Sequence, residues 1–537
     1  MSIKTPSFFL GSSIKSITEG LDKKIEQLDF KYSYNEDENI SILYFILKND
    51  KYKFKEILDK ISLKHEIPKR ELIEEIVYYY EDLKETINNN ELKKIGFRFD
   101  DEDNYKKLNS NVFARYIARK FNLGIFNSET FYAYTEGVWT RLDYLEISRT
   151  LREFLHFHMK DIWTETLEKA YIEALKREIL NINCLNTNRK YINLRNGLFS
   201  LDTYQLEEHQ VRIYSSIQLP IYYDEIADCS KFKKFLNDIF EGDEERINLT
   251  QEMLGYCLTS EVKAHKAFIF LGSGANGKSV LSDIIIELCG KENVSGIAMN
   301  ELKKPFSKSA IFEKTVNIST ENEFDKEIFN TGDFKKMVSG DLITIEEKYK
   351  NPFSYKPFCK LIFALNNMPD TNDNTNGLIR RLIIIPFRKR YNMVKDEDNT
   401  NIANPNLINE LKEELPGIFN FAIEGLKRLV KNKYVFTKSE ESNKELQKYR
   451  KEIDVVLDFV KSSIVKGDID SRITRKNIRE KFNTWCIVTS NKKYINLNDR
   501  TFWNKFRNAL VESDITVKEF KSNGKDGFEG ITIKDIS

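Results

Sequence analysis

The chain is poor in cysteine, histidine and proline, and each shortage removes a class of function. Six cysteines stand at positions 184, 229, 257, 289, 359 and 486, and none forms a C-x-x-C pair. Five histidines are scattered along the chain and no H-E-x-x-H occurs, so zinc-site spacing is absent. The thiols therefore read as reduced and mostly buried, in a cytosolic protein. With 10 prolines, no Pro-rich or Gly-rich stretch and no internal repeat, nothing marks a long linker or a solenoid. The longest apolar runs, such as Ala267 to Leu271 and Leu382 to Ile385, fall far short of the ~18 residues that span a bilayer, so no membrane association is expected. Met1 to Gly20 has neither an apolar core region nor a small-residue cleavage site, so no secretory signal is expected. Lys and Arg total 84 against 83 Asp and Glu, so any polyanion site must be a local patch.

What is present is enough for several cores. Hydrophobic residues make up 41% and charged residues 31% of 537, which suits globular domains at roughly 150 residues each. The spacing divides the chain into a helical N-terminal domain over 1–103, an α+β domain over 104–258 and an α/β core over 259–395. A helical lid over 396–445 and a C-terminal domain over 446–537 complete it. From Pro68, the apolar positions Leu72, Ile73, Ile76, Val77, Tyr80 and Leu83 recur at helical spacing. A helix spreads Tyr78, Tyr79 and Tyr80 around its circumference, so they read as core and rim rather than a base-stacking platform. Helix is expected over Leu145 to Leu180, Cys229 to Phe240 and Glu245 to Leu258, and strand over Tyr191 to Leu201 and Ile213 to Tyr223.

The chemistry begins at Ala267, where a five-residue apolar strand runs into Gly272-Ser273-Gly274-Ala275-Asn276-Gly277-Lys278-Ser279. The helical Val280 to Leu288 follows. This is G-x-x-x-x-G-K-S in the strand–loop–helix setting that gives the pattern its meaning. Glycines let the loop turn its backbone N–H groups toward phosphates, and the helix N-terminus adds partial positive charge. Lys278 would reach the β- and γ-phosphates of ATP and Ser279 would ligate Mg²⁺.

Such a loop needs a carboxylate on a neighbouring strand. Thr315 to Glu321 alternates as a strand ending in Glu321, with Glu323 two residues on, so Glu321 is the first choice for Mg²⁺ and for polarising water. Leu361 to Leu365 is an apolar strand delivering Asn366, which would sense the γ-phosphate or merely cap a turn before Pro369. Ile343 and Ile345, then Asn351-Pro352, then a second strand from Lys360 to Leu365 suggest a hairpin with Lys348 and Lys350 at a basic tip. Arg380 and Arg381 enter the buried strand Leu382 to Ile385, a placement that calls for an anionic partner such as a neighbouring copy's ATP.

The last 67 residues hold 14 basic and 8 acidic side chains, a local excess of six. A helix over Ile473 to Trp485, a second helix from Arg500 capped by Asn498-Asp499, and strands over Ile515 to Lys521 and Gly530 to Ile533 make a winged-helix pattern. Lys505 and Arg507 on the second helix would contact DNA, unless the module serves protein contact or ring support.

Taken in order, these motifs resemble superfamily 3 helicases of the poxvirus and phage–plasmid primase-helicase type. The resemblance rests on Gly272 to Ser279, Glu321, Lys335 to Asp341 with Lys348 to Lys356, Asn366 to Pro369, and Arg380-Arg381. Ile192 to Gly197, Gln251 to Tyr256 and Glu414 to Leu429 look like the same family's flanking segments. In size and context the chain is similar to replication initiators of phages and staphylococcal pathogenicity islands. The resemblance implies an α/β P-loop AAA+ motor with N-terminal α and α+β domains and a C-terminal winged helix. It implies an ATP-dependent DNA helicase, ring-forming and hexameric, acting in replication of a phage or mobile element within a bacterial cytoplasm. Implied with it are ATP and Mg²⁺, single- and double-stranded DNA, further copies of the chain and host replication proteins. One alternative is an origin-binding initiator whose ATPase drives assembly and melting without processive unwinding. Another is a P-loop signalling ATPase indifferent to DNA, against which the basic hairpin and tail speak. Residues 1 to about 100 contain no D-x-D pair, so built-in priming is not expected.

Overall fold

The computed structural model describes residues 51–85, 89–304, 306–320, 331–348, 350–369, 376–392, 402–468, 471–489, 494–522 and 525–534, with 21, 25, 39, 42–44, 46, 47, 329, 371, 373 and 491. The chain divides into two compact units, Met1–Tyr223 and Asp224–Ser537. No helix among the described residues is long and apolar enough to cross a membrane.

In the first unit, helix α1 (Lys51–His65) buries Phe54, Ile57, Leu58 and Ile61, and α2 (Lys69–Glu85) buries Leu72 and Ile76. Ile73 and Val77, which share the apolar spacing, are exposed, as is Tyr78. The buried stripe is thus narrower than the spacing alone suggested, and the side chains of Tyr79, Tyr80 and Leu83 lie outside the described residues. Helix α3 (Ser110–Lys120) then precedes strands β1 (Leu123–Phe126), β2 (Thr130–Thr135) and β3 (Val138–Leu142). The expected helix over 145–180 is two helices, α4 (Tyr144–His158) and α5 (Glu165–Glu178). Met159 leaves the helical conformation, and the Thr164 hydroxyl starts the second helix by accepting the Leu167 N–H at 3.2 Å. Strand β4 (Leu180–Ile182) closes a sheet of order β3-β2-β1-β4, covered by a core that includes Phe113, Phe131, Phe154 and Tyr171.

The expected strand over 191–201 is instead a hairpin of β5 (Tyr191–Leu194) and β6 (Gly197–Ser200), extended by β7 (Leu206–Glu207). Residues 213–223 form no strand, only a single bridge from Leu219 to Leu194. Apolar character there serves burial of Leu219 and Ile221 rather than sheet pairing.

The second unit opens with α6 (Ser230–Ile239) and α7 (Glu244–Cys257), close to the expected bounds. Its centre runs β8 (Ala267–Leu271), α8 (Lys278–Cys289), β9 (Val294–Ser295), β10 (Val316–Ser319) and α9 (Thr331–Ser339). There follow β11 (Ile343–Ile345), β12 (Phe353–Tyr355), β13 (Lys360–Leu365), α10 (Asn376–Ile379) and β14 (Leu382–Pro386). Five of these strands form one parallel sheet of order β9-β10-β13-β8-β14. Strands buried on both faces read as continuous apolar runs, which is why Ala267–Leu271 and Leu361–Leu365 show no alternation. The sheet is an α/β core of the kind expected.

Helix α11 (Leu415–Lys431) lies against α7, and a buried ion pair joins them. Glu252, wholly buried, receives Arg428 Nε at 2.7 Å and both the N–H and hydroxyl of Thr437 at 2.7 Å. That contact explains why residues 224–258 group with the sheet-bearing unit and not with the segment before them. After α12 (Glu440–Ile453) come α13 (Val455–Ser463), β15 (Ile464–Lys466), β16 (Arg472–Thr474), α14 (Arg475–Val488) and α15 (Asp499–Glu512). The chain ends in β17 (Lys518–Ser522), β18 (Lys525–Glu529) and β19 (Ile531–Ile533). Phe459, Phe482, Trp485, Phe502, Phe506 and Phe528 fill this last core. The terminal hairpin differs from expectation: residues 525–529, which lie between the two expected strands, are the strand that pairs with β17, while β19 pairs with β15.

Candidate functional site

The loop 272–279 leaves the C-terminal end of β8, an interior strand of the parallel sheet, and enters α8 directly. Gly277 has φ +88°, and a Cβ there would stand 2.7 Å from Ile239 Cγ2, so only glycine fits without displacement. At Gly272 a Cβ would come within 2.3 Å of Asn276 Nδ2 and 2.5 Å of the Phe387 carbonyl. At Gly274, by contrast, it would meet nothing within 4 Å, so the outer rim of the loop is open. Asn276 is buried and donates to the Phe387 carbonyl at 3.3 Å, and the Tyr391 N–H is donated to the Ala275 carbonyl at 2.7 Å. The segment 387–391, just after β14, thereby braces the loop.

Lys278 is 7% exposed, and its ammonium donates to the Gly272 carbonyl. Burial holds its pKa below the usual lysine range. Among the described residues it has no acidic partner. A desolvated cation with a single carbonyl partner, at the N-terminus of a twelve-residue helix, is suited to an anion. Ser273, Ala275 and Ser279 are exposed beside it, so a phosphate chain and its cation have access. The residues present therefore fit a magnesium–nucleotide as ligand.

Asn366 stands exposed at the end of β13, the strand directly beside β8 in the sheet. The strand expected to carry the carboxylate, β10, is not the neighbour of β8; β13 lies between them. Sequence order does not reveal such a crossover. Glu321 and Glu323 lie outside the described residues.

Arg380 and Arg381 occupy the opposite end of the sheet. Ala267 pairs with Leu382 and Leu271 with Pro386, so the pair sits at the start of β14 while the loop follows the end of β8. At ~3.3 Å per residue this separates them by roughly 15–20 Å, too far for either to reach the phosphates of its own loop. The two arginines differ. Arg381 gives Nε and Nη2 to the Ser339 hydroxyl at 3.1 and 2.7 Å and Nη1 to the Gly377 carbonyl at 2.6 Å. Arg380 is exposed.

Lys348 and Lys350 do lie on the turn of a hairpin, but its second strand is β12, not residues 360–365. Two apolar runs follow Asn351-Pro352, and pairing, not composition, decides which one returns. Lys348 is exposed, whereas Lys350 is paired to Glu347 at 2.8 Å. In the C-terminal module, Arg507 is bound by Glu519 through Nε at 2.6 Å and Nη2 at 3.1 Å. Lys505 is half-buried, and burial holds its pKa down. Arg507 is thus engaged within the module and Lys505 is half-buried, while Lys476, Arg500, Lys518 and Lys521 of the same module are exposed.

Sequence reasoning passed over Ser339, which holds Arg381, and Lys266, whose ammonium donates to the Arg380 carbonyl at 2.5 Å. A signal for Lys266 exists: like Arg381, it is a cation set immediately before a buried apolar strand.

Two families match the chain. Residues 110–241 match the family described as D5 N terminal like, and residues 270–381, which contain the whole loop 272–279, match a family of unknown function, DUF5906. A helicase-named protein of Acanthamoeba polyphaga mimivirus is 24% identical over 315 residues, covering 53% of this chain and 31% of that protein. Helicase-named proteins of Invertebrate iridescent virus 6 and Invertebrate iridescent virus 3 are 27% and 22% identical, covering 38% and 71% of this chain. The chain spans 23% and 43% of those two, so less than half of any of the three. An apo structure of the NrS-1 C-terminal region is similar at 12% identity and a TM-score of 0.44, over 77% of this chain and 97% of that one. A second apo structure of that region gives a TM-score of 0.42 over 79% and 100%. A D5 N terminal like match followed by a DUF5906 match, together with the helicase-named viral relatives, supports the resemblance to phage and viral replication proteins of the primase-helicase type.

Proposed function

We propose that the chain is an ATP-driven DNA helicase of superfamily 3, working as a ring, hexameric by resemblance, in replication of a phage or mobile element. The observation that carries this reading is Lys278: a buried lysine without an acidic partner among the described residues, at the N-terminus of the helix that follows an interior strand of a parallel sheet. That sheet supports an AAA+ core. Lys278 and the loop N–H groups hold the β- and γ-phosphates, and Ser279 with Glu321 holds the metal, Glu323 being the reserve. Magnesium supplies neutralisation of phosphate charge when bound. Asn366, on the adjacent strand, orients the attacking water or touches the γ-phosphate.

Of the arginine pair, Arg380 is the residue for a neighbouring copy's nucleotide, because Arg381 is already engaged by Ser339 and Gly377. A trans arginine of this kind contributes roughly 10³–10⁵ in rate. Lys348 at the hairpin turn contacts a single strand, with Lys350 available once it leaves Glu347. Helices α14 and α15 with the β17–β18 hairpin form a winged helix, whose exposed Lys476, Arg500, Lys518 and Lys521 contact duplex phosphates. Lys505 and Arg507 are then supports for that surface.

The test is strand displacement on a forked duplex with ATP, comparing the wild-type chain, Lys278→Ala and the double variant Lys348→Ala, Lys350→Ala. Unwinding by the wild type, loss of hydrolysis in the first variant, and hydrolysis without unwinding in the second are expected. A wild type that hydrolyses ATP and binds DNA yet never displaces a strand would replace the motor with an assembly-switch initiator. Normal turnover by Lys278→Ala would remove the phosphate-site assignment itself.

A further inference from the structure

A cleft of about 500 Å³ opens at the end of the sheet opposite the phosphate loop, a volume in the usual range for small-ligand sites. Lys266 and Arg380 enter it from the segments just before β8 and β14, and Lys433 and Lys438 from the connection between α11 and α12. Arg381 and Lys263 also line it, and none of its lining residues is acidic. Lys263 has its own counter-ion in Glu261 at 2.9 Å, and Arg381 is held by Ser339. Lys266, Arg380, Lys433 and Lys438 have no acidic partner among the described residues.

Four such cations around one recess repel one another, and no acidic side chain among its lining residues relieves the repulsion. The effect is visible at Lys266, whose pKa is held below the lysine range by burial and then by the Arg380 guanidinium. Lys266 cannot swing away cheaply, since its ammonium is bonded to the Arg380 carbonyl. Exposed lysines alone would mean little; here a half-buried one, Lys266, is held by a backbone carbonyl and three exposed cations, Arg380, Lys433 and Lys438, line the same recess. Tyr434, Phe436 and Leu382 supply apolar wall to the recess.

We propose that this cleft is an oligophosphate-binding site, with Lys266, Lys433 and Lys438 as ligands beside Arg380. Its chemistry is that of a short chain of phosphates, supplied either by the nucleotide of a neighbouring copy or by free polyphosphate. The neighbouring-copy source rests on the function proposed above; the phosphate chemistry does not.

The experiment uses the full chain carrying Lys278→Ala, which silences the phosphate loop, and titrates inorganic tripolyphosphate by calorimetry. Binding is expected to persist, to weaken with salt, and to fall about tenfold for each cation removed in Lys266→Gln and Lys438→Gln. Should Lys266→Gln lower the thermal midpoint, the exposed pair Lys433→Gln, Lys438→Gln carries the test. No binding in the Lys278→Ala background, or binding that ignores the cleft variants, would overturn the proposal. To separate the sources, ATP hydrolysis is measured with an otherwise wild-type loop. A fall in kcat on Lys438→Gln with nucleotide affinity unchanged points to the neighbour's nucleotide; unchanged kcat with lost tripolyphosphate binding points to the free anion. If Lys278→Ala leaves ATP binding intact and the cleft variants abolish it, the phosphate-loop reading falls and the cleft stands.

Discussion

Replacing Arg428 by Met should loosen α7 and α11 together. The guanidinium is the sole cationic partner of Glu252 among the described residues, and Glu252 is wholly buried whereas Arg428 itself is 33% exposed. Removing the cation leaves a carboxylate with only the two Thr437 donors, and breaking a buried pair from one side costs about 3–5 kcal/mol. Gln251, itself buried, and the Asn248 carbonyl lose their donors as well, at 2.8 Å each, which adds to the loss. The double variant Glu252→Gln, Arg428→Met removes both charges while its amide oxygen still accepts from Thr437, so at least half of the loss should return. Because the chain has two compact units, local hydrogen exchange is a better readout than one global transition. At 1.36 kcal/mol per tenfold, amides of α7 and α11 should exchange about two to nearly four orders of magnitude faster in the single variant. Exchange within tenfold of wild type, or a double variant as labile as the single one, would refute the assignment of this pair as the tie between the helices.

Gly277→Ala places a Cβ at φ +88° and 2.7 Å from Ile239 Cγ2, so a stability loss of about 1–2 kcal/mol and at least tenfold weaker nucleotide binding are expected, read by thermal shift and calorimetry. Gly274→Ala, with open space, should cost only the backbone strain. Mixing Arg380→Ala with Lys278→Ala chains should restore some hydrolysis, since mixed assemblies contain intact pairings; no recovery at any ratio would argue against a trans role for Arg380. Burial holds the Lys360 amine down to about 8, where an ordinary lysine titrates near 10.5. Between those values the unfolded chain binds more protons, so stability should rise with pH across that window, by up to about 3 kcal/mol. Lys360→Met should abolish the rise, and a variant whose pH dependence matches wild type would refute it.

What the sequence disclosed was what short stretches decide by themselves. The strand 267–271, the loop and α8 follow from an apolar run, two glycines and a helical tail within about twenty residues, and Asn498 caps α15 as its side chain required. Pairing between distant segments was not legible. Residues 353–355 and 360–365 are both strand-like, and only the tertiary fold sends the first into a hairpin and the second into the sheet. The same holds for β13 standing between β8 and β10, and for α7 joining the second unit through Arg428, 176 residues away. Arg507 shows the limit at a single side chain: its charge suggested DNA, and Glu519 on the next strand claims it.

The sheet has two unlike ends, one bearing Lys278 and the other Arg380. A contact between unlike faces is directional, so chains joined this way line up head to tail. An open row then always has one unmatched loop at one terminus and one unmatched arginine at the other. In the proposed mechanism, a pair of chains would work at about half the rate per chain of a closed circle, and longer rows would approach it. Turnover per chain, followed against assembly size, would thus report the moment at which the row closes on itself.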